Sequence, residues 1–106
     1  MVAITISGVH VNLDERVKTH INEKIGALSR FHQGLSKVHV TVHNAEKNRY
    51  RVDVDMHLGS HKDVVAHDAE DTIHAAIDVV SDKCASQLRK IHARDVHAQR
   101  HADQRT

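Results

Sequence analysis

Lys83, Gln87, Lys90 and Arg94 follow one another at intervals of four, three and four residues, the spacing that sets side chains along one line of an α-helix. Three cations and an amide in such a row can lie over the edge of a core and reach out to phosphate oxygens. The competing reading is a plain solvated helix face, and Lys90 and Arg94 gain from the helix macrodipole near a C-terminus whatever else they do. Other candidate chemistries are weaker. Among twelve histidines, His97 and His101 stand four apart, as two metal-ligating imidazoles on one helix face would. They lack a strong third ligand nearby, so they are read as surface histidines and no metal site is expected. The histidines could instead strengthen binding to RNA at acidic pH. Asp53 and Asp55 share one face of a strand, as paired acid–base carboxylates must, but an exposed polar face accounts for them. Ser7, Ser29, Ser36, Ser60, Ser81 and Ser86 have no nucleophile-elbow context, and there is no glycine-rich phosphate loop. The sequence therefore predicts no enzyme and no cofactor.

The row needs a helix to hold it. Ile73, Ile77, Val80, Cys84, Leu88 and Ile91 form an apolar stripe that predicts a helix from about Asp71 to Arg94 with that stripe buried. Cys84 falls inside the stripe and is read as a small core residue; a lone cysteine excludes an internal disulfide and suits a reducing compartment. The 106 residues, 40% of them hydrophobic, suffice for one small core. Charge is segregated along the chain. Residues 1–52 carry eight basic against four acidic residues, a surplus of +4; 53–82 carry one against eight, −7; 83–106 carry six against two, +4. Such polarity orients an acidic partner and repels it in the wrong pose. With Phe31 and Tyr50 as the only aromatics, no base-stacking platform exists, so contacts to a polyanion would run to phosphates and shape. No run of 18 apolar residues and no leader pattern occurs, which predicts a soluble cytoplasmic protein with no membrane partner.

Taken in order, Val2, Ile4 and Ile6 alternate with small and polar residues up to Gly8, a first strand. Asp14 is an N-cap for a helix over about 14–32, whose stripe is Val17, Ile21, Ile25, Leu28 and Phe31, with Gly34 as its stop. Gly26 inside that helix suggests either close packing or simple tolerance of a glycine there. Val38, Val40 and Val42, then Tyr50, Val52, Val54, Met56 and Leu58, predict a hairpin around the loop NAEKN. Gly59-Ser60 turns the chain into a shorter fourth strand in HKDVVAH. The fold class is α+β: a two-layer β-α-β-β-β-α domain over residues 1–94, a four-stranded sheet with two helices packed on one face and the other face open to water. Residues 95–106 lack an apolar period and are expected to form a disordered or frayed basic tail.

Three short stretches give this order a family likeness: His74-Ala75-Ala76-Ile77-Asp78, then Asp82-Lys83-Cys84, then Gln87-Leu88-Arg89-Lys90. Together with VNLDERVKTHINEKIGALSRF, they resemble the ribosome hibernation-promoting factors, the ribosome-associated inhibitors that include the short hibernation-promoting factor and protein Y. The pattern is similar to an aromatic before A-A-I-D, then D-K-L, then R-Q-L followed by basic residues. Four positions depart from it: His74 replaces the aromatic, Cys84 the leucine, Ser86 the arginine, and Ala27 a frequent lysine of the first helix. The resemblance implies a monomeric factor seated on the small ribosomal subunit, in the channel of messenger and transfer RNA, touching 16S-type ribosomal RNA and inhibiting translation in stationary phase or stress. Lys18, Lys24, Arg30, Lys83, Arg89, Lys90 and Arg94 match its basic positions, with Gln87 in the same row; Arg100 and Arg105 of the tail are expected to compensate in part for the missing ones. The length is similar to the short forms. A short basic tail suits the type that makes ribosome dimers with a ribosome modulation factor, rather than the protein Y type that holds inactive monomers. A generic double-stranded RNA-binding module is the alternative, since its α-β-β-β-α core is topologically similar.

Overall fold

In the middle of β2 (Leu35–Glu46) and along most of β3 (Arg49–Leu58), residues 38–42 and 52–58, every second residue is a valine, methionine or leucine, and the pleat sends all of them to one side. Val38, Val40, Val42, Val52, Val54, Met56 and Leu58 are each at most 1% exposed. Their neighbours Lys37, His39, Arg51, Asp55 and His57 face water. This computed structural model describes residues 2–59 and 61–103, with side chains to residue 96.

The sheet order is β1-β2-β3-β4. β1 (Ala3–Val9) lies parallel to β2, pairing Ile4 with Val38 and Ile6 with Val40. β3 is antiparallel to both β2 and β4 (Val64–Glu70), with Val54 opposite Val40 and Ala66. A parallel neighbour needs a crossover, and α1 (Glu15–Gly26) supplies it. Asp14 caps α1 by accepting the Val17 N–H at 2.9 Å. Val17, Ile21 and Ile25 of α1, with Leu28 beyond it, join Ala76, Ile77, Val80, Cys84 and Leu88 of α2 (Ile73–Asp103) in one buried cluster with the apolar sheet face. Both helices therefore cover the same face, as the alternation requires. The one buried polar side chain among the described residues, Ser81, donates its hydroxyl to the Ile77 carbonyl at 2.7 Å. No described helix is long and apolar enough to cross a membrane.

Several boundaries differ from the sequence expectation. Residues 27–31 of the first helix tighten into a 3-10 turn, Ala27–Phe31. β1 continues past Gly8 to Val9; a Cβ at Gly8 would stand 2.8 Å from the Val11 carbonyl oxygen, so glycine admits the returning chain rather than ending the strand. Gly26 is not a close approach, since a Cβ there would first meet Ile4 Cδ1 at 4.0 Å. The hairpin loop shrinks to Lys47-Asn48, with Asn48 in the left-handed region at φ 57°. β4 starts and ends three residues later than expected, and Thr72, whose Oγ1 accepts the Ala75 N–H, opens α2. The largest difference is the far end of α2. The helix does not stop at Arg94, and the backbone of 95–103 is helical rather than a tail without structure. Neither glycine nor proline occurs after Gly59, so nothing breaks the helix, and Ala, Arg and Gln sustain it. The side chains of His97, His101 and Arg100, and all of Arg105, lie outside the described residues.

Candidate nucleic-acid interface

The basic residues occupy both flanks of α2, because 100° per residue separates Lys83 and its row from Arg89 across the buried stripe. On the α1 flank, Lys24, Arg30 and Arg89 border a groove of about 520 Å³ floored by Leu28, Phe31 and Ala85. Arg30 comes from the 3-10 turn and Arg89 from α2, about 60 residues later. Their guanidinium carbons stand 5.0 and 5.4 Å from the centre of the Phe31 ring, within cation–π range. Neither has a carboxylate partner among the described residues. Both guanidinium groups therefore keep N–H donors available for phosphate oxygens.

Acid enters at the groove's other end, where Glu23 and Asp82 also line it. Asp78 accepts from His20 Nε2 at 2.7 Å and lies 3.9 Å from Lys24 Nζ. Lys24 is thus half-committed to an internal acid. Lys18, near the start of α1, is 4.0 Å from Glu15 and remains exposed. The site is graded, with its free positive charge at the Arg30–Arg89 end.

The opposite flank faces β4. Lys83 is not a free cation: its ammonium donates to the His67 carbonyl at 3.1 Å and to Asp68 Oδ1 at 3.0 Å. The Asp68 side chain is 13% exposed, and its Oδ2 is buried without a hydrogen-bond partner. Glu70 beside it has its carboxyl pushed up, first by a hydrogen bond with Asp68 and then by that residue's charge. Gln87 is half-buried near Lys83, over Val65 and His67. Further along the same line, Lys90 and Arg94 are exposed and have no ion pair among the described residues. Of the eight residues expected at the interface, the structure brings Lys24, Arg30 and Arg89 together, leaves Lys90 and Arg94 open to solvent, and ties Lys83 down.

Other candidates resolve plainly. Cys84 is fully buried and burial pushes its thiol up to about 12, which makes it inert. Asp53 spends its carboxylate on Arg51 Nε at 3.0 Å and His43 Nε2 at 2.9 Å, on the open sheet face. One cluster escaped the sequence reading. His32 Nε2 and His61 Nε2 each lie 3.0 Å from Asp95 Oδ2, and these three residues could hold a metal. Their separation along the chain hides them from any spacing pattern; only the docking of α2 against the sheet end reveals them.

Residues 4–95 match the model of the family described as Sigma 54 modulation protein / S30EA ribosomal protein. The chain is 28% identical over 96 residues to a ribosome hibernation promoting factor of Azotobacter vinelandii, covering 91% of this chain and 88% of that one. It is also 28% identical over 98 residues to a ribosome hibernation promotion factor of Staphylococcus aureus (strain COL), there covering 89% of this chain but only 50% of the relative. Two solved structures share the fold. One is a ribosomal subunit interface protein from Coxiella burnetii, with a TM-score of 0.75 at 22% identity over 86% of this chain and 98% of that one. The other is the Protein Y N-terminal domain from Thermus thermophilus, with a TM-score of 0.76 at 20% identity over 86% and 99%.

Proposed function

The chain belongs to the Sigma 54 modulation protein / S30EA ribosomal protein family, and from that premise we propose that it is a ribosome hibernation factor that docks on the small ribosomal subunit in the messenger and transfer RNA channel and inhibits translation. The observation that carries the reading is the pair Arg30 and Arg89 on Phe31, two guanidinium groups from different elements with no carboxylate partner among the described residues. Such a pair is preorganised for a phosphate. Lys90 and Arg94 continue the positive surface along the exposed helix, while Lys24, Gln87 and Lys18 border it.

The acidic stretch 53–82 gives the contact a direction, since the end that bears Asp78 and Asp82 is repelled by the RNA that Arg30 and Arg89 attract. A ribosome partner places the work in the cytoplasm. Promotion of ribosome dimers with a ribosome modulation factor is the outcome favoured over inactive monomers, and gradient sedimentation of ribosomes with and without that factor separates the two. A generic duplex RNA-binding module fits less well, because β1 adds a parallel strand outside the α-β-β-β-α core.

The test is sedimentation of the full chain with purified small subunits, followed by challenge with messenger and initiator transfer RNA. Cosedimentation that the two RNAs reverse is expected. Equal affinity for naked duplex RNA, or full occupancy together with both RNAs, contradicts the proposal.

A further inference from the structure

Away from the groove, three separate elements converge on one point. His32 follows the 3-10 turn, His61 follows the turn between β3 and β4, and Asp95 lies on α2 one residue beyond Arg94. Asp95 Oδ2 is 3.0 Å from each imidazole Nε2, and the three potential ligand atoms all lie within 4.8 Å of one another. An ion held tetrahedrally at about 2.1 Å needs its ligand atoms roughly 3.4 Å apart, within the range this cluster spans. Two imidazoles and one carboxylate are a donor set for zinc and its neighbours, whereas magnesium and calcium favour oxygen alone. His92, one turn before Asp95, has its ring 6.0 Å from that of His32, near enough to turn into a fourth position. We propose that His32, His61 and Asp95 form a binding site for a zinc-class divalent cation, with His92 completing the coordination.

The hydrogen bonds say how the site would load. The Gly34 N–H donates to His32 Nδ1 at 2.9 Å, which leaves the His32 proton on Nε2, aimed at Asp95. To ligate through Nε2, His32 must carry its proton on Nδ1, and the Gly34 amide then loses its acceptor. His61 makes the same shift of its proton from Nε2 to Nδ1. Asp95 Oδ2 already accepts from both imidazoles, so the same carboxylate can turn to the ion. The bound ion would fasten the helix segment carrying Lys90 and Arg94 to the end of the sheet. This inference is independent of the ribosome reading.

Zinc chloride is titrated into the full chain and followed by calorimetry, thermal melting and the amide spectrum. One ion per chain, a raised Tm and a shift of the Gly34 amide resonance are expected. His61→Ala alters an exposed loop side chain, and Asp95→Asn keeps the side chain's shape. Each should weaken zinc binding by about tenfold or more, at least the loss that follows removal of a metal ligand's supporting partner. The double variant His97→Gln/His101→Gln should bind as the parent does. No zinc binding, or binding abolished by the 97/101 variant and kept in both His61→Ala and Asp95→Asn, overturns the site.

Discussion

Lys83 shows what residue spacing reveals and what it conceals. Its place in the row with Gln87, Lys90 and Arg94 is legible, because a helical period sets the face. Its partners are not, since Asp68 and the His67 carbonyl lie on β4 and reach Lys83 only once α2 has docked. Reading the row alone, Lys83→Ala should weaken RNA binding without loss of fold. The contacts with β4 add a structural role to that expectation. Removing the ammonium leaves the Asp68 carboxylate, 13% exposed and with one oxygen already unpartnered, without the one cation paired with it among the described residues. Because Lys83 itself is half-exposed, the loss should be modest, about 1 kcal/mol in urea unfolding, with little change in affinity for small subunits. A Lys83→Ala variant with parental stability and weakened subunit binding would return Lys83 to the interface. The pairing of Arg30 with Arg89 was equally hidden, because the ring that gathers them, Phe31, reads in sequence only as the last member of an apolar stripe.

At the scale of elements the sequence was far more informative. Alternation over residues 38–42 and 52–58 and the two three-or-four stripes dictate an element order that needs no knowledge of partners, and the core contains most of the residues those periods point to, with Phe31, Ile73 and Ile91 partly buried against it. Boundaries were harder. β4 slid by three residues because its few apolar side chains, Val64, Val65 and Ala66, do not alternate; α2 ran on because no glycine or proline follows Gly59 to stop it. Two substitutions separate packing from propensity. Leu88→Ala empties a fully buried position beneath the sheet and should cost about 2 to 5 kcal/mol. Gly26→Ala places a methyl group at ordinary contact distance from Ile4 on helical backbone, so it should stabilise by roughly 0.4 to 1 kcal/mol. Urea melts measure both, and a destabilised Gly26→Ala would mean that a close approach does exist there.

For the whole molecule, the governing fact is where charge stands relative to the long helix. A 31-residue α2 extends about 46 Å, most of the 58 Å length of the molecule. Its acidic start, Asp78 and Asp82, and its basic continuation, Arg89, Lys90 and Arg94, make a gradient along that axis, which Arg30 strengthens from across the groove. In the proposed function, the Arg30–Arg89 pair is a phosphate clamp on small-subunit RNA. The most direct test is the affinity of parent, Arg30→Ala, Arg89→Ala and the double variant for purified small subunits across a salt titration. Expected are binding that weakens with salt, a slope of log affinity against log salt that flattens by roughly 0.7 for each arginine removed, and unchanged folding in every variant. Parental affinity and parental slope in the double variant would contradict it and leave both arginines as solvated cover over Phe31.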